Sequence, residues 1–290
     1  MVARSGPAPC DDLTPKPIVF PSTIFHLPFG VLVHAHAERV FKLTLQYDGT
    51  DYVGWQRQAS GTSIQGLLED ALRPIEGGDV TVHGAGRTDA GVHALGQVCS
   101  FGLTASIEPR VLVRALNPVL PPDVRVVDAE VVPNDFHARF SSTGKIYEYR
   151  IVTGRFASPF LRRYVWHVKG RLDIDVMQAA SSRFVGTHDF AAFQGHGVAR
   201  RTTVRTVRRL DWSGDVGPEQ PLVMTIEGDG FLRHMVRNIV GTLVDIGQRR
   251  RSPSDIEKIL ASRSRPAAGP TAPASGLFLR QVLYSDKIAL

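Results

Sequence analysis

The order of hydrophobic periodicities along the chain constrains its fold more than any other feature of the sequence. Regular patterning begins at Val40 and gives a first strand that ends at Asp48 and Gly49. The apolar face of that strand consists of Phe41, Leu43, Leu45 and Tyr47. Because side chains of a strand alternate between its two faces, this spacing predicts a half-buried strand.

Strand-like and helix-like segments then follow each other to the end of the chain. Further strands are predicted over 80–83, 97–101, 124–132, 146–152, 204–212, 222–227 and 277–284. Helices are predicted over 62–75, 109–116, 174–184, 231–246 and 254–261. Thr62 and Gln65 have the spacing of a capping box at the start of the first helix, and residues 265–276 form a linker rich in Pro, Ala and Gly. This order predicts an α+β or α/β fold with antiparallel hairpins.

Length and charge narrow the class of protein. The chain has 290 residues, which is the length of two average domains or one large one. Its 34 Lys and Arg exceed its 28 Asp and Glu and give a net charge of +6, which favours a polyanionic partner such as nucleic acid. A hydrophobic share of 43% excludes wholesale disorder, and two cysteines exclude a disulfide framework.

We expect residues 1–37 to be a disordered N-terminal extension, because strand and helix periodicity is missing there. The uncharged stretch 18–37 contains Pro21, Pro28, Gly30 and three histidines, so it is a poor membrane-spanning helix. A signal peptide is not expected, and Asp11 and Asp12 argue against an organellar transit peptide. We therefore expect a cytoplasmic protein.

One polar, glycine-spaced loop between two apolar strands stands out as a candidate site. Residues 84–96 hold Asp89 where a dinucleotide fingerprint would need its third glycine, and the chain has no P-loop, HExxH or GxSxG motif. From the residues alone, Asp89 is either part of a simple turn or an exposed carboxylate suited to a nucleophile or general base. His93 is either a hydrogen-bonded structural residue or a base, and no triad partner is evident.

The run GRTDAGVHALGQV resembles the signature of the tRNA pseudouridine synthase A family, and other motifs agree in the same order along the chain. These are YDG at 47–49 with Tyr52, Gly54, Trp55 and Gln56, DFHARFS at 135–141, the tyrosines at 147 and 149, DFAAF at 189–193, Arg201 with Thr202, Phe231, HMVRNIVG at 234–241 and GLFL at 276–279. The resemblance covers residues 39–285. So many ordered motifs make chance similarity very improbable.

The resemblance implies a cofactor-free and metal-free isomerase that converts uridine to pseudouridine at positions 38, 39 and 40 in the anticodon stem-loop of tRNA. Asp89 matches the catalytic aspartate, and Arg237 matches the arginine that orients it. Whether such a carboxylate attacks C1' or C6, or assists elimination, stays open.

Three further residues take substrate-binding roles from the resemblance. Tyr147 matches the tyrosine that stacks on the target uracil, Arg87 would grip the phosphate backbone near the flipped base, and Leu277 would pack against the pocket. From alternation alone, Tyr147 and Tyr149 would share one strand face and would equally suit the core, and Leu277 would equally suit an ordinary strand core.

The implied architecture is the pseudouridine synthase fold: two ferredoxin-like α/β halves with mainly antiparallel sheets that meet at a central basic cleft. We expect residues 38–142 to form the half with the Asp89 loop and residues 143–290 the second half. The resemblance implies a homodimer with no membrane association and no protein cofactor. Lys145 departs from the family pattern, which often has an arginine at this position. A lysine should still attract phosphate, but it cannot bind phosphate in the bidentate geometry of an arginine.

Two arginine clusters are interpreted as phosphate contacts once an RNA partner is expected. They are Arg200, Arg201, Arg205, Arg208 and Arg209, and then Arg249, Arg250 and Arg251. Two rival functions stay open. A protein that only binds RNA would use Asp89 as a loop former, and a glycosidase-like enzyme that releases uracil would need a second carboxylate for a water.

Overall fold

The computed structural model describes residues 37–195, 197, 202–215 and 217–285. The strands in these ranges are β1 (Arg39–Tyr47), β2 (His83–Gly84), β3 (His93–Leu103), β4 (Val124–Val132), β5 (Ser142–Val152), β6 (Trp166–His167), β7 (Gly186–Asp189), β8 (Val204–Ser213), β9 (Leu222–Gly228) and β10 (Leu277–Tyr284). The α-helices are α1 (Ile64–Glu76), α2 (Pro109–Leu116), α3 (Ile174–Ser181), α4 (Met235–Gly247) and α5 (Asp255–Ser262). Most strand pairs are antiparallel, so the predicted α+β class is confirmed.

All ten strands in the described ranges belong to a single sheet. Its strands follow the order β4-β1-β3-β10-β5-β9-β8-β7, with β2 beside β3 and β6 beside β5. The last strand in the sequence, β10, therefore lies in the middle, parallel to β3 and antiparallel to β5. This placement brings the Asp89 loop, which enters β3, close to residues of β5 and of the segment before β10.

The core follows the predicted alternation in β1. Phe41, Leu43 and Leu45 are fully buried, and Tyr47 is 4% exposed, while the residues between them are less buried. The most buried helix is α4, in which every residue except Arg237 is buried. A polar side chain so placed on an otherwise buried helix needs a partner, and the partner of Arg237 lies in the candidate site.

The start of α1 differs from the prediction. Ser63, and not Thr62, is the N-cap, because Ser63 has extended backbone angles and its hydroxyl accepts from the Gly66 amide at 3.1 Å. The Gln65 side chain turns instead to the preceding loop, where its amide oxygen accepts from Gln56 at 2.7 Å. The predicted capping box was wrong by one residue at the cap.

The start of α4 also differs. The prediction began this helix at 231, whereas it begins at Met235, and His234 before it has a left-handed conformation with φ of 60°. Residues 229–234 therefore form a turn after β9. Arg233 lies in this turn and is not one helical turn before Arg237, as the longer helix had implied.

Residues 265–276 are not a free linker. A Cβ on Gly241 of α4 would lie 1.7 Å from the Pro270 carbonyl oxygen, so this glycine admits the segment against the helix. The Gly269 amide donates to the Thr242 hydroxyl at 2.9 Å, and Ala272 is 1% exposed. The segment packs on α4 because small residues on both sides allow the two backbones to approach.

Smaller boundary errors concern short elements. The helix predicted to Phe184 ends at Ser181 and continues as a 3₁₀ turn, and the strand predicted over 80–83 comprises only His83 and Gly84. Two short strands, β6 and β7, were not predicted. The bounds predicted for α2, β4 and β10 are confirmed.

The predicted division into two halves stays a prediction. Its boundary at 142 and 143 falls on the first two residues of β5. Of the predicted extension over residues 1–37, residues 1–36 lie outside the described residues. Within the described ranges, none of the helices has the length and apolar character needed to cross a bilayer.

Candidate active site

The loop that carries Asp89 is fixed against the chain that follows β1. Gly54 has φ of 103°, and a Cβ there would lie 2.5 Å from the Thr88 carbonyl oxygen. The Trp55 amide donates to that same oxygen at 3.1 Å, and the Val92 amide donates to the Asp89 carbonyl at 3.1 Å. The loop is therefore a tight turn whose backbone is held on both sides of Asp89.

Buried polar side chains hold the loop from the sheet side. The hydroxyls of Tyr47 and Thr88 lie 2.9 Å apart, and the Gln97 side-chain amide donates to the Gly86 carbonyl at 2.9 Å. Burial raises the pKa of Tyr47 to about 12, so this residue is a neutral hydroxyl. These contacts fix the direction in which Asp89 leaves the sheet.

Asp89 faces Arg237, which lies on α4. Arg237 Nη1 donates to Asp89 Oδ2 at 3.3 Å, and the two residues are 148 positions apart in the chain. The Asp89 side chain keeps 30% of its exposure, against 15% for Arg237. The carboxylate is thus paired and still open to a ligand, as a nucleophile or a general base requires.

The segment 270–272 aims the Arg237 guanidinium. Arg237 Nε donates to the Ala272 carbonyl at 2.7 Å, and the Ala272 amide donates to the Arg237 carbonyl at 3.1 Å. One edge of the guanidinium is therefore held by backbone, and another edge meets Asp89. Because the fork of an arginine is planar, this contact fixes the orientation of the donor toward the carboxylate.

His234 is a site residue that the sequence analysis did not single out. Its Nε2 atom lies 3.4 Å from Asp89 Oδ2, and a Cβ on Gly195 would lie 2.6 Å from its Nδ1 atom. The left-handed backbone at His234 is an uncommon conformation for a residue with a side chain and directs the ring to Asp89. Only the motif around it signalled this position.

Burial lowers the pKa of His234, and Arg237 adds to this effect against the opposite effect of Asp89. The imidazole is therefore neutral near pH 7, where it offers one N–H donor and one acceptor. The charged partner of the carboxylate is the guanidinium, and the histidine supplies a neutral contact to the same oxygen.

Tyr147 on β5 lies at the inner wall of the site. It is 8% exposed, and its ring meets that of Phe231 edge to face with centroids 5.2 Å apart. Burial raises its pKa, and the charge of Asp89 contributes to this shift. Within the described residues the Tyr147 hydroxyl makes no hydrogen bond. Every fully buried side-chain polar atom in those residues does have a hydrogen-bond partner. The Tyr147 hydroxyl is therefore not fully buried and reaches solvent.

The second tyrosine of the pair has a different environment. Tyr149 is fully buried and donates to the Pro273 carbonyl at 2.8 Å. Leu277 pairs with Tyr149, and Leu279 pairs with Tyr147, in the antiparallel register of β10 and β5. Leu277 is 6% exposed and lies beside the core tyrosine Tyr149.

Two cations lie on the outer side of the loop. Arg87 is exposed, and within the described chain it forms no ion pair. A Cβ on Gly86 would lie 3.0 Å from Lys145 Cε, so Lys145 reaches over the loop at a glycine. Burial lowers the pKa of Lys145, and Arg139 adds to this shift. Arg87 is thus an exposed residue of the loop itself, and it forms no ion pair with the Asp89 carboxylate.

The arginine clusters are largely paired with carboxylates. Arg208 and Arg209 lie 3.6 Å and 3.1 Å from Glu227 and Asp211, and Arg249 pairs with Asp173. Arg250 and Arg251 both pair with Asp245. Arg200 and Arg201 lie outside the described residues. Because most of these charges are locally compensated, they are weaker candidates for phosphate contacts than their number suggested.

His93 has structural contacts on both ring nitrogens. The Gly49 amide donates to His93 Nδ1 at 3.0 Å, and Nε2 lies 3.0 Å from the Arg163 carbonyl. The residue is 1% exposed, and burial lowers its pKa. These contacts favour the structural interpretation of His93 over that of a base. Among the described residues, no group of three or more His, Cys, Asp or Glu could hold a metal ion.

Comparisons with known proteins agree with the motifs. A profile described as tRNA pseudouridine synthase matches residues 44–141 and 180–285. The tRNA pseudouridine synthase A of Myxococcus xanthus is 47% identical over 245 residues, which cover 84% of this chain and 92% of that protein. The protein of the same name from Syntrophotalea carbinolica is 44% identical over 86% of this chain and 97% of its own length. A chain of a solved Cbf5-Nop10-Gar1 complex is 14% identical over 70% of this chain and 45% of that chain, with a TM-score of 0.30.

Proposed function

The chain belongs to the tRNA pseudouridine synthase family, and from this premise we propose that it converts uridine to pseudouridine at positions 38, 39 and 40 of tRNA. Asp89 is the catalytic nucleophile of this proposal. The observation that carries it is the Asp89 carboxylate on a rigid loop, held through Oδ2 by Arg237 and 30% exposed. A single open carboxylate with an oriented guanidinium suits chemistry at a glycosidic carbon.

The reaction breaks the bond between N1 of uracil and C1' of the ribose and forms a bond between C5 and C1'. The proton on C5 leaves and N1 gains one, so the product has the mass of the substrate. Asp89 attacks C1' or C6, or assists elimination, and each route needs a carboxylate close to the ribose and the base. Asp89 Oδ1 makes no hydrogen bond within the described residues, which leaves this oxygen available for that contact.

Arg237 and Tyr147 have supporting roles in the proposal. The guanidinium fixes the carboxylate and compensates the charge that changes on Asp89 during the reaction. The Tyr147 ring stacks on the uracil after the nucleotide has left the RNA helix, and Leu277 supports the wall behind it. Arg87 contacts the phosphate backbone, which its exposed position on the loop supports.

The decisive experiment treats unmodified tRNA transcripts with the purified protein and maps pseudouridine by position. Product confined to positions 38, 39 and 40 supports the proposed reaction and site choice together. Pseudouridine at other positions would remove the site assignment, and its absence from all transcripts would remove the activity.

A protein that only binds RNA is the first rival. Asp89→Asn is nearly isosteric and should leave tRNA affinity within about threefold while it abolishes product, because the amide cannot act as a nucleophile. Product formation by purified Asp89→Asn would show that Asp89 is a loop former.

A glycosidase-like enzyme is the second rival. It would release free uracil and would need a second carboxylate to activate water. The side chains that contact the Asp89 carboxylate in the described chain are those of Arg237 and His234, and neither is a carboxylate. Mass spectrometry of the treated tRNA separates the two reactions, since isomerisation conserves mass and base loss lowers it.

The proposal includes a cytoplasmic homodimer that binds the anticodon stem-loop in a basic cleft shared between the subunits. The net charge of +6 supports a polyanionic partner. Sedimentation of the purified protein, alone and with tRNA, tests this part, and a monomer in both samples would contradict the shared cleft.

A further inference from the structure

A turn after β4 presents an exposed aromatic ring beside the Asp89 loop. Phe140 is 75% exposed, although a large apolar side chain on a surface gains little from folding there. Its ring centroid lies 4.4 Å from that of His137, and Arg139 lies 5.5 Å from its centre. His137 in turn lies 4.9 Å from His83. We call His83, His137, Arg139 and Phe140 the ring platform.

The backbone of the ring platform is rigid. The His137 amide donates to the Ser141 hydroxyl at 3.0 Å, and the Ala138 amide donates to the Ser100 hydroxyl at 3.0 Å. The Tyr284 hydroxyl donates to the Ala138 carbonyl at 2.7 Å. His137 Nδ1 accepts from the Arg139 amide at 3.1 Å, which fixes the imidazole as well. A surface ordered in this way loses little entropy when it binds a ligand.

The ring platform is next to the proposed active site. His83 is the first residue of β2, and the chain runs from it through Gly84 into the loop of Asp89. Lys145 reaches across that loop at Gly86 and is close enough to Arg139 for the arginine to lower its pKa. The row of rings therefore starts where the loop leaves the sheet.

Three cations around the ring platform lack a directly paired carboxylate. Within the described residues Arg87, Arg139 and Lys145 form no ion pair, although Asp229 acts on Lys145 from a longer distance. Arg208, Arg209, Arg249, Arg250 and Arg251 of the two clusters, by contrast, are each paired with a carboxylate. Partial burial lowers the pKa of His137, and His83 adds to this, so its ring is neutral near pH 7. Flat rings beside cations that have no directly paired carboxylate are the combination that binds single-stranded nucleic acid by stacking and by phosphate attraction.

We infer that the ring platform stacks an unpaired base of the RNA substrate, with Phe140 as the stacking surface, while Arg139 and Lys145 attract the adjoining phosphates. This inference rests on the proposed function, because it takes the bound molecule to be the RNA whose uridine reaches Asp89. The occupant is an unpaired nucleotide close to the target uridine along the strand. A second copy of this chain is the alternative occupant, and the test separates the two.

The first measurement is photochemical crosslinking of the wild-type protein. The probe is an anticodon stem-loop transcript with cytidine at positions 38, 39 and 40, so that no turnover occurs, and 5-bromouridine at its other loop uridines. We expect crosslinked peptides that contain Phe140 or His137. Crosslinks that map only to other residues would overturn the inference.

The second measurement is the affinity of single variants for the same stem-loop. Phe140→Ala should raise Kd by about fivefold to a hundredfold, the range found when one base-stacking ring is lost. Phe140→Trp should bind within about threefold of the wild type, and Phe140→Leu should bind as poorly as the alanine variant, since stacking needs a flat ring. Affinity of Phe140→Ala within twofold of wild type, or full affinity of Phe140→Leu, would contradict stacking.

The salt dependence of Kd provides an independent readout. Phe140→Ala should leave the slope of log Kd against log salt unchanged, whereas Arg139→Gln should reduce it by about one phosphate contact. Val119→Ala, which changes a 64% exposed side chain after α2, is the control and should change neither Kd nor slope. Because Phe140 is exposed, all Phe140 variants should keep the thermal midpoint of the wild type.

Failure of this inference and failure of the proposed function give different results. Loss of stem-loop affinity in Phe140→Ala without any pseudouridine from the wild type would leave an RNA-binding surface and remove the activity. Normal stem-loop affinity of Phe140→Ala together with normal pseudouridine formation would remove the RNA-binding role of the ring platform and leave the activity. A change in the oligomeric state of Phe140→Ala on sedimentation, with stem-loop affinity unchanged, would assign the ring platform to a contact between copies of the chain.

Discussion

Two aspartate–arginine pairs lie at opposite ends of the same helix, α4, and differ in how much of the carboxylate they leave open. At one end Asp89 receives Arg237 on Oδ2 and its side chain is 30% exposed. At the other end Asp245 receives Arg250 on Oδ1 and Arg251 on Oδ2, and its side chain is 11% exposed. The second carboxylate has both oxygens engaged, whereas the first keeps one for a ligand.

The residue types of an ion pair therefore do not decide its role. Asp245 lies on α4 itself, and its arginines follow within six positions, so that pair closes the end of the helix from local sequence. Asp89 comes from a loop of another part of the sheet, and its Oδ1 atom makes no hydrogen bond within the described residues. A carboxylate with both oxygens paired stabilises the fold, whereas a carboxylate with one unpaired oxygen can react with a ligand.

Neutralising each carboxylate in turn tests the difference between the two pairs most directly. Asp89→Asn should lower kcat for pseudouridine formation by at least about a thousandfold, since it removes the reacting group. Asp245→Asn should change kcat by less than about twofold, because its pair is remote from the substrate. Single-turnover assays on tRNA measure both, and equal losses of kcat in the two variants would contradict the division of roles.

A second prediction concerns the arginine of the open pair. Arg237→Gln should lower kcat by about a hundredfold or more, because the oriented charge beside Asp89 is lost. Arg237→Lys should recover little of this, since an ammonium cannot hold both Ala272 and Asp89 as the planar guanidinium does. Arg250→Gln is the matched control, and a loss of kcat in it as large as in Arg237→Gln would refute the assignment.

A third prediction concerns the ring beside the open pair. Tyr147→Ala should lower kcat/KM by about tenfold to a hundredfold through lost stacking. Tyr147→Phe keeps the ring and should stay within about threefold, because the hydroxyl has no partner in the described structure that would be lost. Steady-state kinetics on tRNA test both variants, and wild-type turnover of Tyr147→Ala would mean that the ring belongs to the core alone.

A fourth prediction concerns the closed pair. Asp245→Asn should lower the free energy of unfolding by about 1–3 kcal/mol, the usual cost of leaving partly buried charged groups without their hydrogen bonds. Urea denaturation at pH 7 measures this change. Asp89→Asn, whose carboxylate is more exposed, should lose less stability, and the reverse order would mean that the open pair also holds the fold.

The smallest expected effect is a pH dependence that only the open pair has. The pKa of His234 is lowered by burial in the folded state, so between that pKa and the ordinary value of 6.5 the unfolded chain binds more protons. The free energy of unfolding therefore falls as the pH decreases below about 6.5. Denaturation at pH 7.0 and 5.5 should show a smaller fall for His234→Asn than for the wild type, and an equal fall would remove His234 from this effect.

Much of the fold and part of the candidate site could be predicted from local sequence. Alternation in β1 and the bounds of α2, β4 and β10 follow from periodicity, because burial on one face has the same period as the element. The start of α4 was missed because its apolar spacing continues back to Phe231, while a left-handed residue ends the regular backbone at His234. Periodicity does not report a single backbone angle.

The motifs of the sequence by themselves determined the family and singled out Asp89, Arg237, Tyr147, Arg87 and Leu277, because such motifs are read from residue type and order. Only the tertiary structure decided which charges meet. It brought Arg237 to Asp89 across 148 positions, added His234, packed residues 265–276 on α4 and paired most of the described clustered arginines with carboxylates. The reason is that β10, last in the chain, lies between β3 and β5 in the sheet. Contacts set by such an order depend on distance in space, which local patterns of sequence do not contain.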